Sequence, residues 1–330
     1  MLRKYGVFIA MAIFLVACQP SPTFLDPASS ISGHQADLYK TVLIMALVVF
    51  VLVEGGLIWI VVRHRKRSDD NELAPQIHHN TQLEIIWTTI PVLLVIALFV
   101  MTVRTVNAVA APQSAKGDIN IRVVGHQWWW EFNYLDYEVA TANELHIPVG
   151  ATVQIQLESV DVIHSFWVPQ LAGKTDVIPG QVNTMWLTSN QVGEYFGQCA
   201  EFCGTQHALM RFKVFVDSQE DFDAWIANQQ KPAYQPQTED EQIGFKELDT
   251  GACSACHSID PSEIDTDKTG PNLAHLFSRT TFAGGSFELN EENLRNWLHD
   301  TQAMKPGNEM IITVPDQQFE QVIAYLMKLK

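Results

Sequence analysis

The chain has 330 residues, enough for two domains and further segments, and 47% of them are hydrophobic, which suggests that part of the chain lies in a membrane. Residues 117–330 hold thirty acidic and twelve basic side chains, whereas residues 1–116 hold seven and nine. Such an acidic body repels nucleic acid and excludes it as a partner. It fits a basic protein partner, and equally a surface that is acidic for solubility alone. The five cysteines, an odd number, argue against a simple disulfide framework.

The first seventeen residues are typical of a secretory signal peptide. Arg3 and Lys4 precede an apolar run from Val7 to Ala17 that is too short to span a bilayer. The run continues into Cys18 as LVAC, which resembles the lipobox of bacterial lipoproteins. This resemblance predicts cleavage before Cys18 and a lipid on its sulfur. The alternatives are a plain signal peptide that is cut elsewhere and a short buried helix.

Two longer apolar runs predict transmembrane helices at 39–62 and 83–106. The loop between them, 63–82, begins with RHRKR, and its four basic residues place it in the cytoplasm. The N-terminal segment at 18–38 and everything after the second helix then lie outside the cytoplasm. This arrangement predicts a multi-pass protein of the bacterial inner membrane with its later domains on the periplasmic side.

Two acidic residues lie within or at the edge of these predicted helices, Glu54 and Glu84. Ionisable groups in a membrane are costly, so each is a functional candidate. For Glu54, pairing inside a helix bundle is an equal alternative. Glu84 lies at the cytoplasmic edge, where a carboxylate costs little and needs no special role.

A different pattern begins at residue 117 and continues to 218. Segments such as INIRVVGHQWWWEFNY and RFKVFV mix β-branched and aromatic residues in partial alternation, and Gly, Pro and Asn bound them. This composition predicts short strands of a sandwich or barrel.

The stretch GQCAEFCGTQHALM (197–210) places four potential metal ligands close together: Cys199, Cys203, His207 and Met210. Their spacing would also fit one face of a helix, but the glycines in the stretch disfavour a helix and favour a loop around an ion. Sulfur and imidazole ligands suit copper or zinc, and the methionine favours copper. A further candidate, His164, lies upstream in DVIHSFWVP, at the end of a strand-like run.

These motifs together resemble subunit II of the haem-copper cytochrome c oxidases. The resemblance rests on Cys-x-Glu-x-Cys-x3-His-x2-Met and on DVIHSFWVP, KTDVIPG, GHQWWW and QLEIIWTTIP. It implies that 117–218 is a cupredoxin domain with a binuclear copper centre, CuA. The resemblance implies that Cys199 and Cys203 are bridging thiolates and that His164 and His207 are terminal imidazole ligands. It also implies a weak thioether ligand from Met210 and a weak backbone carbonyl ligand from Glu201.

The same resemblance implies roles that the spacing alone leaves open. The Glu201 side chain would hold a magnesium ion at the contact with subunit I, and Glu84 would lie at the mouth of a proton channel in subunit I. Trp128 matches the aromatic residue that receives electrons from cytochrome c, although plain core packing is expected for at least one of the three tryptophans at 128–130. Gln181 departs from the pattern, because many relatives carry arginine there.

A polar, proline-containing segment at 219–237 is predicted to link this region to a second redox domain at 238–330. That domain contains Cys253, Cys256 and His257 in a Cys-x2-Cys-His motif, which is typical of covalent haem c attachment with a histidine ligand to iron. Alone, the motif also fits a redox-active cysteine pair.

The surrounding residues resemble a class I cytochrome c, which is a small all-α fold. TGPNLAHLFSR (269–279) and KPGNEM (305–310) carry this resemblance. It implies that Met310 is the second iron ligand, with Met304 as the weaker candidate. The resemblance also implies that Pro271 orients His257, that Arg279 meets a haem propionate and that Trp297 packs near the haem ring.

Two features at the end of the chain complete this domain. The segment VPDQQFEQVIAYLMKL predicts an amphipathic closing helix that starts at a proline. His275 and His299 are predicted to lie at the surface.

The sequence therefore predicts a multidomain membrane protein with a two-helix transmembrane hairpin, an all-β cupredoxin sandwich and a small all-α cytochrome c domain. It resembles subunit II of a caa3-type oxidase. This implies that electrons pass from a c-type donor to haem c, then to CuA, then to subunit I, where oxygen is reduced and protons are pumped. Subunit III is a further implied partner, and no catalytic side chain is expected in this chain.

Three other functions compete with this interpretation. A quinol oxidase subunit II shares the helices and the sandwich but lacks the copper ligands, which are all present here. A CuA-containing nitric oxide reductase is the nearest alternative enzyme. A membrane-anchored electron carrier without a catalytic partner is the third, although an anchor needs fewer than two helices.

Overall fold

The computed structural model describes residues 22–65, 76, 78–110, 117–264, 268–311, 314 and 318–330. The predicted signal peptide and Cys18 lie outside the described residues. The described residues form two compact units: residues 33–110 make one, and residues 22–32 together with 117–330 make the other. The larger unit contains both the predicted copper domain and the predicted haem domain.

The smaller unit is built from two long apolar helices, α1 (Ser30–Arg63) and α2 (Thr81–Val109). Their most apolar windows have mean hydropathies of 2.6 and 2.4, and both helices are long enough to cross a membrane. The side chain of Asn80 caps α2 by accepting a hydrogen bond from the Leu83 amide at 3.2 Å. The predicted pair of transmembrane helices is confirmed. Glu54 and Glu84 are both exposed on these helices, and their roles stay predictions.

Ten strands form the predicted sandwich in two five-stranded sheets. One sheet has the order β3-β2-β1-β5-β8 and the other β4-β10-β9-β6-β7. The strands are β1 (Ile119–His126), β2 (Trp129–Tyr134), β3 (Val139–Ala142), β4 (Glu144–Pro148), β5 (Val153–Ser159), β6 (His164–Trp167), β7 (Thr175–Val177), β8 (Asn183–Leu187), β9 (Gly193–Cys199) and β10 (Arg211–Asp217).

The core of the sandwich follows from alternation along the strands. In β10, and in β5 as far as Leu157, every second side chain is buried, so one face of each strand points into the core. Trp130, Phe132, Phe166 and Phe212 meet there in edge-on and stacked ring contacts. The predicted all-β fold is confirmed.

One strand departs from this alternation. All six residues of β2 are buried, including Trp129, Glu131 and Asn133 on the face away from the core. Residues of the haem domain cover this outer face: the Trp129 indole N–H donates to the carbonyl oxygen of Thr269 at 3.2 Å. The two domains therefore share a buried interface.

The segment predicted as a linker, 219–237, begins with a helix, α3 (Gln219–Gln229). Ser218 caps α3 by accepting from the Asp221 amide at 3.1 Å. Phe222 and Ile226, one turn apart, are buried in the sandwich core. The first half of this segment thus belongs to the copper domain, because two apolar residues at helical spacing anchor an otherwise polar stretch.

The haem domain consists of short helices around a second core. Its helices are α4 (Glu239–Asp249), α5 (Glu291–His299), α6 (Thr301–Met304) and α7 (Phe319–Leu326), and a small hairpin joins β11 (Thr281–Phe282) to β12 (Phe287–Glu288). A capping box of Thr238 and Glu241 starts α4. The helix α7 is the predicted closing helix; Pro315, its predicted start, lies outside the described residues.

The prediction for His275 was wrong. The side chain is only 4% exposed, and its two ring nitrogens lie 2.8 and 2.9 Å from the carbonyl oxygens of Lys330 and Lys231. It therefore ties the end of the chain to the segment that follows α3. His299 is exposed, as predicted.

Candidate copper and haem sites

The candidate copper ligands lie on neighbouring strands and on the loop between β9 and β10. Cys199 ends β9, Met210 immediately precedes β10, and a backbone hydrogen bond of 3.0 Å from the Cys199 amide to the Met210 carbonyl closes the base of the loop. His164 opens β6, which pairs with β9. Within the loop, only residues 207–209 form a single 3-10 turn, so a loop rather than a long helix carries the ligands.

The five side chains converge within the distances that a metal centre requires. The Sγ atoms of Cys199 and Cys203 are 3.8 Å apart. Each has an imidazole nearby: His164 Nδ1 is 4.0 Å from the first sulfur, and His207 Nδ1 is 3.7 Å from the second. The Sδ atom of Met210 lies 3.7 Å from Cys203 Sγ. Two thiols, two imidazoles and a thioether form a donor set that suits copper.

Glu201 contributes differently through its backbone and its side chain. Its carbonyl oxygen lies 3.2 Å from Cys199 Sγ, on the inside of the loop. Its side chain is exposed. The backbone carbonyl of this residue therefore faces the cysteines, whereas its carboxylate is open to solvent.

Water is largely excluded from the sulfur atoms. Cys199, Cys203 and Met210 are all buried. The pKa of the Cys199 thiol is lowered to about 3, chiefly because the Cys203 thiol donates a hydrogen bond to it, and burial opposes this effect. The pKa of Cys203 is raised by the same sharing and by burial. The thiol of Cys199 therefore loses its proton more readily than that of Cys203, and a cation bound by both sulfurs would displace the remaining proton.

His164 is held in one orientation by its surroundings. Its Nε2 lies 2.8 Å from Asp161 Oδ1, which leaves Nδ1 facing Cys199. Desolvation is the largest single effect on the pKa of His164 and lowers it. Hydrogen bonds and charge attraction from Asp161 and Cys199 together outweigh desolvation, so the net shift is upward. Gly125 of β1 packs against the ring, since a Cβ there would lie 2.8 Å from His164 Cδ2.

In the haem domain, the Cys-x2-Cys-His motif forms a tight turn. Residues 253–255 make a 3-10 turn, and the His257 amide donates to the Cys253 carbonyl at 2.9 Å. His257 Nδ1 lies 2.8 Å from the Pro271 carbonyl oxygen, which directs Nε2 away from that bond. Burial lowers the pKa of His257 and favours the neutral ring that binds iron. A Cβ on Gly270 would lie 2.5 Å from the ring, so this close approach requires glycine.

The other predicted haem contacts surround the same core. The Trp297 indole nitrogen lies 3.3 Å from Met310 Sδ, and the Met310 amide donates to Asn308 at 2.9 Å. Met304, the weaker candidate, also packs against this core.

Arg279 has a buried atom that calls for an anion. One guanidinium nitrogen donates to the Asn272 carbonyl at 2.6 Å, but Nε is buried without a hydrogen-bond partner among the residues that the structure describes. Burial lowers the pKa of Arg279 to about 10. An unsatisfied buried donor on a cation fits a haem propionate.

The three tryptophans at 128–130 have three different environments. Trp130 is fully buried in the sandwich core, which confirms plain packing for one of them. Trp129 lies in the domain interface, stacked on His126 at 4.1 Å. Trp128 is half-buried, and its indole N–H donates to the carbonyl oxygen of Cys203 at 3.0 Å. It thus connects the domain interface to a candidate copper ligand.

Two charged residues of the interface escaped the sequence analysis. Glu144 of β4 and Lys305 after α6 are 2% and 3% exposed, and each bonds to the other domain. Glu144 stands in no recognisable motif, and Lys305 opens the KPGNEM segment, whose resemblance gives this lysine no role. Only the folded arrangement of distant segments shows that they are buried.

Three family models match this chain. Residues 138–217 match the periplasmic domain of cytochrome c oxidase subunit II, residues 17–104 match its transmembrane domain, and residues 242–330 match cytochrome c. Together they indicate a copper-binding domain and a haem-binding domain.

Several known proteins are similar to this chain. Cytochrome c oxidase subunit 2 of Alkalihalophilus pseudofirmus is 34% identical, and the match covers 97% of this chain and 95% of that protein. Quinol oxidase subunit 2 of Bacillus spizizenii is 33% identical over 67% of this chain and 70% of that protein. The solved periplasmic domain of subunit II of cytochrome oxidase from Bradyrhizobium japonicum is 31% identical, covers 34% of this chain and 94% of that chain, and has a TM-score of 0.34.

Near full-length similarity and two redox domains exceed what a shared fold alone would give. Subunit II of a haem-copper oxidase works with a subunit I in a multi-subunit membrane complex, and its role is electron transfer. The chain belongs to the cytochrome c oxidase subunit II family and carries a C-terminal cytochrome c domain.

Proposed function

We propose that this chain accepts electrons from a c-type donor through a covalent haem c and passes them through a binuclear CuA centre to subunit I, where oxygen is reduced to water and protons are pumped. The convergence of Cys199, Cys203, His164, His207 and Met210 carries the proposal. A mononuclear copper site needs one thiolate, and the second cysteine favours a pair of metals.

The chain's contribution to the copper centre is orientation and exclusion of water. CuA, when bound, supplies a one-electron carrier whose geometry changes little on transfer. The buried sulfurs keep the donor set fixed, and Asp161 holds His164. The Glu201 carbonyl faces the site, and its exposed carboxylate is available for a magnesium ion at the contact with subunit I.

The haem residues are proposed on similar grounds. Haem c supplies a second one-electron carrier, held by Cys253 and Cys256 through thioethers, with His257 and Met310 as iron ligands. A thioether ligand together with an imidazole would raise the reduction potential of the haem, which suits an electron acceptor. Pro271 orients His257, the unpaired Arg279 Nε meets a propionate, and Trp297 packs beside Met310.

The surface around the copper loop supports a contact with subunit I. Val160 and Ile163, which flank Asp161, and Phe202, inside the copper loop, are 63%, 46% and 75% exposed. Large exposed apolar side chains of this kind mark a protein contact. Subunit I is the proposed partner, with subunit III as a further one. Glu84 is proposed to lie at the mouth of a proton channel in subunit I.

The location follows from the same assignment. We place the chain in the bacterial inner membrane as a multi-pass protein, with the copper and haem domains on the periplasmic side. The basic loop after α1 supports this orientation. Lipid attachment at Cys18 stays a prediction.

The competing functions are a CuA-containing nitric oxide reductase and an electron carrier without a catalytic partner. The test is gas consumption by the native complex, purified through a tag on this chain and fed by a reductant that reduces haem c. We expect oxygen uptake that falls at least about tenfold when Met210→Leu or Met310→Leu is introduced. Lys328→Met, which changes an exposed side chain outside both proposed sites, serves as the control.

The other outcomes separate the alternatives. Uptake of nitric oxide with little oxygen uptake would assign the chain to a reductase. A complex with intact haem and copper that consumes neither gas would favour the carrier.

A further inference from the structure

The interface between the copper and haem domains contains two buried charged residues to which the sequence motifs assign no role. One is the carboxylate of Glu144 on the copper domain, and the other is the ammonium of Lys305 on the haem domain. Buried charges are costly unless every polar atom is satisfied. Their partners therefore show what each charge holds in place.

Glu144 binds the start of the haem-domain hairpin. Its carboxylate accepts hydrogen bonds from the backbone amides of Thr280 and Thr281 at 2.8 and 2.7 Å, and from their hydroxyls at 2.7 and 2.9 Å. These two threonines directly follow Arg279, the proposed propionate-binding residue. A carboxylate from the copper domain thus fixes the backbone beside the haem pocket.

Lys305 of the haem domain binds carbonyl oxygens of the copper domain. Its ammonium donates to carbonyl oxygens of Ala283, Leu209 and Trp128 at 2.9, 3.2 and 3.4 Å, which uses all three of its N–H groups. Leu209 precedes the proposed copper ligand Met210. Lys305 itself lies five residues before Met310. One side chain therefore joins the methionine loops of the two proposed centres.

The backbones between these two anchors approach closely. The Arg211 amide donates to the Gly284 carbonyl at 2.8 Å. A Cβ on Gly284 would lie 2.6 Å from the Trp128 carbonyl oxygen, and one on Gly285 would lie 2.8 Å from the Arg211 carbonyl oxygen. Both glycines have positive φ, +71° and +67°. Contact this tight between backbones suits a fixed interface rather than a transient one.

We propose that Glu144 and Lys305 are positioning residues that hold the haem domain in one docked arrangement, so that electron transfer between the two centres needs no domain movement. The proposal rests on the proposed function, because it requires a haem and a copper centre to exchange one electron. In that step the haem is oxidised by one electron and the copper centre is reduced by one. No bond forms or breaks.

Solvent viscosity distinguishes a docked domain from a tethered mobile one. If the haem domain must first diffuse into contact, the transfer rate falls as viscosity rises. If it is already docked, the rate is independent of viscosity. The two buried anchors favour the second behaviour, since removing one partner of a buried charged contact is strongly destabilising.

The experiment follows haem oxidation and copper reduction optically in the purified complex, after a light flash reduces the haem through a photoreductant. Rates are compared in buffer and in glycerol solutions of increasing viscosity. The variants are Lys305→Met and Glu144→Gln. Their matched controls, Lys328→Met and Glu320→Gln, change an exposed lysine and an exposed carboxylate of the haem domain.

We expect a native rate that is independent of viscosity, unchanged controls, and anchor variants that transfer roughly tenfold more slowly with a rate that falls with viscosity. Native transfer that slows in proportion to viscosity would overturn the proposal, whether or not the variants fold. Anchor variants that transfer at the native rate would also overturn it. Absence of haem or copper from the native complex would instead contradict the proposed function.

Discussion

The copper loop and the haem pocket differ in how complete they are as protein structures. In the copper loop, the two cysteine sulfurs are 3.8 Å apart, and each imidazole and the thioether lies 3.7–4.0 Å from one of these sulfurs, held by paired strands. In the haem domain, Arg279 has a buried donor without a partner in the described structure, and Met310 and Cys253 only partly bury themselves against the core. The sandwich thus builds its site from its own core, whereas the haem domain depends on the group it binds.

The largest expected effect comes from removing the haem attachment. The double variant Cys253→Ala, Cys256→Ala should leave 238–330 without a stable fold, because a small domain has only about 5 kcal/mol of stability and loses much of its core. Limited proteolysis of the purified complex measures this. We expect rapid cleavage within the haem domain and survival of the sandwich. A protease-resistant haem domain would show that its fold does not depend on the haem.

Removing the copper thiols should have a smaller effect on folding. Cys199→Ser with Cys203→Ser should abolish copper binding while the sandwich keeps a cooperative thermal transition, because its core lies mainly between the sheets. In the native chain, each bound copper ion should add about 1.4 kcal/mol of stability for each tenfold rise in free copper above its dissociation constant. Calorimetry with copper analysis checks both points. A sandwich that unfolds without copper would show that the loop is not preformed.

Substitutions of Arg279 test, at a single residue, whether the haem domain depends on the group it binds. Arg279→Gln removes the charge that the propionate would pair with, and should lower the free energy of unfolding of the haem domain by about 2 kcal/mol. Arg279→Lys, which keeps the charge, should recover part of this loss. Chemical unfolding monitored by haem absorption gives the values. Equal effects of the two substitutions would argue against an anion at this position.

Asp161 should give the smallest effect. Asp161→Asn weakens the contact that orients His164 but keeps a hydrogen-bonding group at 2.8 Å from its ring. We expect copper affinity to fall by about tenfold, with the fold intact. Competition with a copper chelator measures this. Glu194, an exposed carboxylate paired with Lys213, offers a control, because Glu194→Gln should leave copper affinity unchanged.

The local sequence predicts some of these features and not others. Cys199, Cys203, His207 and Met210 lie within one loop, so their spacing alone brings them together, and alternation in β5 and β10 shows the core face. The helix in the predicted linker was harder to predict, because α3 is mostly polar and two apolar residues, Phe222 and Ile226, anchor it to the sandwich. His275, Glu144 and Lys305 resemble surface residues because segments far away in sequence bury them. Such burial depends on how the domains pack, which no local pattern encodes.

The central claim is that electrons enter this chain at the haem and leave through the copper centre. Rapid mixing of the oxidised complex with a reduced c-type donor tests it most directly, with haem and copper absorption followed together. We expect the haem to be reduced first, and copper then to gain electrons at the rate at which the haem loses them. Copper reduction that precedes haem reduction, or that is unchanged in Met310→Leu, would contradict it.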